Sequence, residues 1–270
     1  MANTRNIALN VLLKIENEGA YSNIALNNAI KENRLSGVDS SFVSALVYGV
    51  LERRITLDYI IRSYSKIPLR KIETKTKNIL RLGILQLLFM DKVPDSAAVN
   101  ESVNLAKKHK LQKSSGFING ILRNITRAED KYTLPDEDRA RYLSVKYSVP
   151  ENIVKLWVNS YGENNAEQLL ASLNGRAKIC CRVNTLRTDA DTLIKKLSDE
   201  GVVAEKIPFI DNALYLENTG SVERLRAYKS GLFHIQDASS QLCVNFLDAK
   251  PRNIMLDVCS APGGKSFSAA

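Results

Sequence analysis

The chain has 270 residues, of which 44% are hydrophobic and 25% are charged, enough for one large domain or for two or three smaller ones. Its longest apolar-dense stretch, residues 78–90, is interrupted by Arg81 and Gln86 and is shorter than the roughly 20 residues of a membrane span. We therefore expect a soluble protein without a membrane partner. No secretory signal is visible at the N-terminus, so the cytoplasm is the expected location.

The formal net charge of +9 lies almost entirely in the N-terminal half. Residues 1–130 carry 20 Lys and Arg against 12 Asp and Glu, whereas residues 131–270 carry 18 against 17. A one-sided positive field suggests a polyanionic partner. Nucleic acid is favoured over an acidic membrane, because no basic amphipathic helix beside an anchor is evident. The alternative is a basic surface that serves only solubility.

Residues 4–128 are predicted to be helical throughout, because their apolar residues recur three and four positions apart. One such stripe runs through Ile7–Ile15, a second through Phe42–Leu51 and a third through Phe117–Ile125. An all-α bundle follows from this pattern.

A basic segment within this bundle, KIPLRKIETKTKNILR, contains Glu73 as its only acid. Several of its cations lie four residues apart, so a helix would array them along its solvent side, where they could neutralise phosphates whatever the base sequence. The candidate RNA-binding residues are Lys66, Arg70, Lys71, Lys75, Lys77 and Arg81. A second basic group lies at Lys107–Lys110, with Lys113 nearby. An ordinary solvated face is the alternative, and no interleaved aromatic residue could stack on bases.

Residues 129–145 are polar, contain one proline and are predicted to be a linker. Beyond it, two helices are followed by the strand KICCRVNTL, the helix ADTLIKKLSDEG and the strands VVAEKIP and ALYLE. Strands interleaved with one short helix indicate a small α+β unit. Its open sheet could face RNA or could be only a spacer, and the sequence leaves both possibilities open.

The last forty residues predict a helix capped by Asp237 and Ser239, then a strand at Ile254–Val258 and a glycine loop. A phosphate-binding P-loop is disfavoured, because Cys259 stands where its first glycine belongs. A dinucleotide fingerprint needs three spaced glycines, whereas Gly263 and Gly264 are adjacent. The third possibility is the loop after the first strand of a methyltransferase sheet, where glycines let the backbone approach S-adenosylmethionine. A simple turn is the remaining alternative.

The four cysteines form no CxxC pair, and the chain has only two histidines. Neither a zinc site nor a disulfide framework is indicated, and we expect reduced, mostly buried thiols and no bound metal. No cysteine has a histidine or a basic cluster close by in sequence that would lower its pKa.

Six short stretches of the sequence resemble parts of known protein families. LDVCSAPGGKS resembles the first motif of the RNA cytosine carbon-5 methyltransferases, and GLFHIQDASSQL resembles the segment that precedes it. YSVPENIVKLWVNSYG and CRVNTL are similar to the N-terminal extension of that family. VPDSAAVNESVNLAKKH and GFINGILRN resemble a NusB-like RNA-binding domain. The combination resembles the bacterial 16S rRNA cytosine-C5 methyltransferases over nearly the whole chain.

This resemblance implies a multi-domain fold. A NusB-like all-α bundle is expected at residues 1–128, the linker at 129–145, an α+β extension at 146–228 and the beginning of a Rossmann-like α/β methyltransferase domain at 229–270. RNA is the implied partner, with 16S rRNA expected, and S-adenosylmethionine is the implied cofactor. Lys265 is a candidate partner for its carboxylate, and the implied cofactor-binding residues are Cys259, Ser260, Ala261, Pro262, Gly263, Gly264 and Lys265.

In this family a cysteine thiolate adds to carbon-6 of cytosine, which makes carbon-5 nucleophilic enough to accept a methyl group. The cysteine motifs that perform this step lie well beyond the glycine loop and are not found in this sequence. We therefore expect the 270-residue chain to bind RNA, to bind no cofactor and to be inactive alone, with no catalytic residue among its own. The alternative is a non-enzymatic NusB-like RNA-binding or antitermination scaffold.

Overall fold

The computed structural model describes residues 4–136, 138–173, 178–250 and 252–270. The chain forms two compact units, Met1–Gly175 and Arg176–Ala270. Among the described residues, none of the helices combines the length and the apolar character that a membrane span requires. The same residues contain no group of three side chains that could hold a metal ion.

Seven helices build the larger part of the first unit, which confirms the predicted all-α bundle. Their apolar stripes meet in one core, in which α5 is buried along most of its length. A short 3-10 turn at Leu69–Lys71 precedes α5. The helices are α1 (Thr4–Glu18), α2 (Ser22–Glu32), α3 (Gly37–Glu52), α4 (Arg54–Tyr64), α5 (Thr74–Phe89), α6 (Asp95–Lys108) and α7 (Gln112–Arg127).

The segment predicted as a linker, residues 129–145, contains most of another helix. Helix α8 (Arg139–Tyr147) is followed by α9 (Glu151–Tyr161) and α10 (Glu163–Ser172). Asp138 caps α8, since its Oδ1 accepts hydrogen bonds from the backbone N–H groups of Ala140 and Arg141 at 2.8 and 3.3 Å. The sequence did not predict this helix, because its residues are mostly polar and its apolar side, which packs on α9 and α10, is narrow.

Helix α8 is also tied to α4. The Thr56 hydroxyl donates to the carbonyl of Val145 at 2.5 Å, and the Ile55 N–H donates to Ser148 Oγ at 3.0 Å. Helices α9 and α10, which the sequence analysis placed in the α+β extension, therefore belong to the first compact unit together with α8.

The second unit is built on a four-stranded antiparallel sheet of order β2-β3-β1-β4, which confirms the predicted α+β unit. Leu193 and Leu197 pack on one face of the sheet, and Leu242 packs on the other. The elements are β1 (Ile179–Val183), α11 (Ala190–Ser198), β2 (Val203–Lys206), β3 (Ala213–Glu217), α12 (Arg226–Lys229), β4 (Phe233–Ile235), α13 (Ala238–Leu247) and α14 (Ser266–Ala269). Strand β4 was not predicted, because its three residues are too few to show an alternating pattern.

The strand predicted at Ile254–Val258 does not form. Ile254 is 101% exposed and Leu256 is 87% exposed, and no strand of the described part of the chain pairs with this segment. An extended segment needs neighbours to bond its backbone groups before it becomes a stable strand. The apolar run is therefore present in the sequence without the sheet that would bury it.

Candidate functional site

Four of the six predicted RNA-binding residues line one open cleft of about 630 Å³ in the first unit. The end of α4, the 3-10 turn and the beginning of α5 form its walls. Lys71 and Lys75 are not among the lining residues. The lining consists of Asp58, Arg62, Ser65, Lys66, Ile67, Pro68, Leu69, Arg70, Lys77 and Arg81. We call this space the basic cleft.

The floor of the basic cleft is neutralised by ion pairs. Arg81 Nε and Nη2 donate to the two carboxylate oxygens of Asp58 at 2.7 and 2.8 Å, and its Nη1 donates to Glu16 at 2.9 Å. Lys77 Nζ lies 3.4 Å from the same Glu16 carboxylate. The prediction that all six cations face solvent is therefore wrong for Arg81, which is buried, and for Lys75 and Lys77, which are half-buried.

Titration behaviour agrees with a structural role for this floor. Burial disfavours the charged forms, but the hydrogen bond from Asn78 and the charges of Arg81 and Lys77 lower the pKa of Glu16. Burial likewise opposes the charge of Arg81, yet its bonds to Asp58 and Glu16 raise its pKa. Both groups are therefore ionised at neutral pH and form an ion pair with each other.

The rim of the basic cleft is different, because its cations are available. Arg62, Lys66 and Arg70 are exposed, and none of them forms an ion pair within the described residues. Arg62 Nε donates to the carbonyl of Asp58, one turn back on α4. Sequence reasoning missed Arg62, although its position four residues before Lys66 was a usable signal. Three unpaired cations around an apolar wall of Ile67 and Pro68 suit a phosphate chain.

Lys75 belongs to another positive region, near the end of α6. Burial and the charges of Lys75 and Lys108 lower the pKa of His109, whose Nε2 lies 2.7 Å from Asn6 Oδ1. The imidazole is therefore neutral at pH 7, and the positive charge here comes from the lysines of α6 and α5.

A second cleft of about 510 Å³ lies between α6 and α7. It contains two cations and no carboxylate, and three asparagine amides supply hydrogen-bond donors and acceptors. Arg123 is held by its neighbour, since its Nε donates to Asn119 Oδ1 at 2.9 Å. The lining consists of Asn100, Val103, Asn104, Lys107, Ser115, Gly116, Asn119 and Arg123. We call it the amide cleft, of which the sequence analysis had identified only Lys107.

The glycine loop is ordered by Asp257, which accepts hydrogen bonds from Ser266 Oγ at 2.6 Å and from the Cys259 N–H at 3.0 Å. These bonds lower the pKa of Asp257. Gly263 has φ +103°, and a Cβ there would stand 2.4 Å from the ring of Phe267, so only glycine fits. Gln236 Nε2 donates to the carbonyl of Gly264 at 3.0 Å.

The seven implied cofactor residues all lie on this one bend. Gly263 is buried and Gly264 half-buried, whereas the others are exposed: Cys259, Ser260, Ala261, Pro262 and Lys265. A bare, kinked backbone with a lysine at its end fits the amino-acid end of S-adenosylmethionine.

The cysteines fall into two classes. Cys180 and Cys181 are buried, and burial raises the pKa of both, that of Cys181 to about 12. Cys243 and Cys259 are exposed, so the expectation of mostly buried thiols is wrong for this pair. Buried thiols of raised pKa are poor nucleophiles, and Cys259 lies inside the glycine loop.

Comparison with known proteins agrees with the helical bundle, but it groups α9 and α10 with the sheet, since its second match spans the boundary between the two compact units. Residues 2–127 match the NusB family, and residues 149–223 match the Methyltr_RsmF/B-like, ferredoxin-like domain. The chain is 36% identical over 97% of its length to "Probable ribosomal RNA small subunit methyltransferase B" of Bacillus subtilis, and it covers 58% of that protein. It is 32% identical over 98% of its length to a protein of the same name from Synechocystis, of which it covers 60%.

The fold also matches a solved structure. The crystal structure of PH0851 aligns with 100% of this chain and 61% of its own length, with a TM-score of 0.69 and 18% identity. The chain spans about three fifths of the length of the relatives that it matches. The chain is therefore similar over nearly its whole length to the ribosomal RNA small subunit methyltransferase B proteins, and its residues 2–127 and 149–223 match the NusB family and the RsmF/B-like, ferredoxin-like domain.

Proposed function

We propose that the chain supplies the RNA-binding part and the cofactor loop of an S-adenosylmethionine-dependent methyltransferase that modifies carbon-5 of cytosine in 16S rRNA. The observation that carries the RNA-binding part is the unpaired rim of the basic cleft, formed by Arg62, Lys66 and Arg70. The names of the relatives support the reaction class and the class of RNA.

The floor and the rim of the basic cleft have different roles in this proposal. Asp58 and Glu16 neutralise Arg81 and hold α1, α4 and α5 together, so the floor stays rigid. The rim cations keep their charge for phosphates, whose counterions are released on binding. Phosphate contacts of this kind position an RNA without reading its sequence, and the amides of the amide cleft are the groups that could contact bases.

The glycine loop would hold the methionine end of the cofactor, with Lys265 beside its carboxylate. S-adenosylmethionine would supply a methyl group bound to a sulfonium sulfur, and this sulfur leaves readily as a neutral thioether. Gly263 and Gly264 keep side chains away from the approaching ligand, and Asp257 holds the bend closed through Ser266 and Cys259.

The nucleophile that attacks cytosine is, in this proposal, none of the four cysteines present. Cys180 and Cys181 are buried thiols, Cys259 lies inside the loop proposed to hold the cofactor, and Cys243 is an exposed thiol on α13. The 270-residue chain alone would bind RNA without methylating it. It would also bind S-adenosylmethionine poorly, because the exposed loop can hold only one end of the ligand.

A non-enzymatic RNA-binding scaffold is the second candidate. The observation that favours it is the exposed, unpaired segment Ile254–Val258, which forms no sheet among the described residues. Transfer of a radioactive methyl group to 16S rRNA by the gene product purified from its native cells would support the enzyme. RNA binding without transfer would support the scaffold.

The RNA-binding part can be tested by fluorescence anisotropy with a labelled fragment of 16S rRNA, from about 50 to about 200 mM salt. Each lost phosphate contact removes about 0.7 from the slope of log K against log salt for a single strand. Reversing Arg62, Lys66 and Arg70 to Glu should therefore weaken binding and flatten the slope by about 2.

The matched control reverses three exposed cations of the same unit that do not line the cleft, Lys14, Lys31 and Arg34. This control changes the net charge by the same amount but leaves the basic cleft intact. It should therefore weaken RNA binding much less. Absence of binding by the wild type, or equal losses in both variants, would contradict the assignment of the basic cleft.

A further inference from the structure

One face of the sheet in the second unit carries an arginine that forms no ion pair with any of the residues that the structure describes. Arg182 lies on β1, directly opposite His234 of β4 and Ala213 of β3. Because side chains alternate along a strand, Arg182 shares its face with Cys180, on which α13 packs through Ala238 and Leu242.

The remaining part of this face is an open pocket of about 750 Å³. Among the residues that line it are Arg182, Asn184, His234, Gln241, Asn245 and Phe267. We call this space the Arg182 pocket.

The guanidinium of Arg182 is poorly satisfied by the protein. Its Nη1 is buried and has no hydrogen-bond partner among the described residues, and burial lowers its pKa. Asp211 also lines the pocket, yet it forms no ion pair with Arg182 in the described part of the chain. A buried donor without an acceptor is costly, whereas Arg81 in the first unit has both of its acids in place.

Other groups of the pocket complement an anionic, aromatic ligand. His234 and Asn245 are exposed beside Arg182, and Phe267 is 74% exposed at the edge. Asn184 and Gln241 are already engaged, since they donate to the carbonyls of Gly231 and Gln236. Among the described lining residues, the groups that remain for such a ligand include the guanidinium of Arg182, the imidazole of His234, the amide of Asn245 and the ring of Phe267.

We propose that the Arg182 pocket binds a phosphodiester of an RNA strand, with the adjacent base stacked on Phe267. A guanidinium fork matches two phosphate oxygens, and an exposed aromatic ring is a common stacking platform for unpaired bases. This inference rests on the proposed function and answers the question that the sequence left open: the sheet faces RNA and is not merely a spacer.

The pocket also lies next to the glycine loop. Phe267 follows that loop by two residues, and its ring is the group that a Cβ on Gly263 would strike. Gln236, at the end of β4, donates to the carbonyl of Gly264. An RNA strand held by Arg182 would therefore pass beside the segment proposed to hold the methyl donor.

The test compares Arg182→Gln with Arg187→Gln in the 270-residue chain. Arg187 is exposed on the connection after β1, donates to the carbonyl of Ser230 and does not line the pocket, so both variants lose one charge. The probe is a fluorescein-labelled single-stranded RNA of about 12 nucleotides. We expect Arg182→Gln to weaken binding about tenfold and Arg187→Gln less than about twofold. Arg182→Lys keeps the charge but loses the planar guanidinium fork, so its loss of RNA binding should lie between those of the two Gln variants.

A second measurement uses the same RNA with 5-iodouridine, cross-linked by light and mapped by mass spectrometry. A cross-link at Phe267 that disappears in Arg182→Gln supports the pocket, and circular dichroism confirms that the variants are folded. Equal binding by Arg182→Gln and wild type, or cross-links that never include Phe267, would overturn the proposal. So would Arg182-dependent binding of the mononucleotide CMP with no such dependence for RNA. If the wild type binds no RNA at all, the proposed function itself fails.

Discussion

Arg81 and Asp58 form a two-pronged ion pair, in which Nε and Nη2 of the guanidinium donate to both oxygens of the carboxylate at 2.7 and 2.8 Å. Arg81 belongs to the most basic segment of the sequence, yet it is buried and faces the core of the bundle. The segment therefore contains two kinds of cation, those that hold three helices together and those that remain free for a ligand.

The first prediction concerns Arg81→Leu. This change leaves the carboxylates of Asp58 and Glu16 without their main partner, and breaking a buried pair in this manner costs about 3 kcal/mol or more. The free energy of unfolding, measured with urea, should fall by that amount. Arg70→Leu, an exposed change in the same segment, should alter it by less than about 0.5 kcal/mol. Equal effects of the two changes would show that Arg81 is not structural.

The second prediction concerns pH. The folded-state pKa of Glu16 lies below its usual 4.5, so its ionised form stabilises the fold above that pH, and the stabilisation is lost as pH falls through the folded value. The difference in unfolding free energy between wild type and Glu16→Gln should be largest above about pH 5 and should shrink below about pH 4. A difference that stays constant from neutral to acid pH would disprove the coupling.

The third prediction concerns thiol accessibility. Cys243 and Cys259 are exposed, whereas Cys180 and Cys181 are buried, so an aromatic disulfide reagent should titrate two thiols rapidly in the folded chain and the other two only on unfolding. Cys243→Ser should remove one rapid equivalent, and Cys181→Ser should remove none. Four rapid equivalents in the folded protein would contradict the packing of β1.

The fourth prediction uses two glycines of α7. Gly116 lines the amide cleft and Gly120 does not, and a Cβ at either position would meet no atom within 4 Å. Gly116→Glu and Gly120→Glu therefore change charge and helix propensity equally, but only the first places a carboxylate in the cleft. If RNA enters the amide cleft, Gly116→Glu should weaken RNA binding about tenfold and Gly120→Glu about twofold. Similar losses in both variants would leave only a general charge effect.

Periodicity was sufficient to predict the helical bundle, because each of its helices has a broad apolar stripe that the common core buries. It was insufficient for α8, whose apolar side is small, and for β4, which has only three residues. For the apolar run Ile254–Val258, periodicity predicted a strand that does not form, since a local pattern cannot show whether neighbouring strands are present.

Only part of each candidate site could be predicted from the sequence, because contacts between residues far apart in the chain decide the rest. Charge counting located the basic segment but could not separate the buried Arg81 from the exposed Lys66, because that depends on acids 23 and 65 residues away along the chain. Arg62 lies only four residues before Lys66 and could have been predicted, whereas Asn119 joins the amide cleft through the packing of α7 on α6. The glycine loop could be predicted from the sequence, because its backbone requirement is local: Gly263 adopts a positive φ.

RNA binding by the first unit is the basis of the proposed function, and cross-linking to 16S rRNA tests this binding most directly. Ultraviolet cross-linking of the 270-residue chain, followed by mass spectrometry of the attached peptides, should give adducts within residues 62–70 and 100–123. These ranges contain most of the residues that line the basic cleft and all of those that line the amide cleft. Adducts confined to α2 or to α8–α10, or no adducts at any salt concentration, would contradict it.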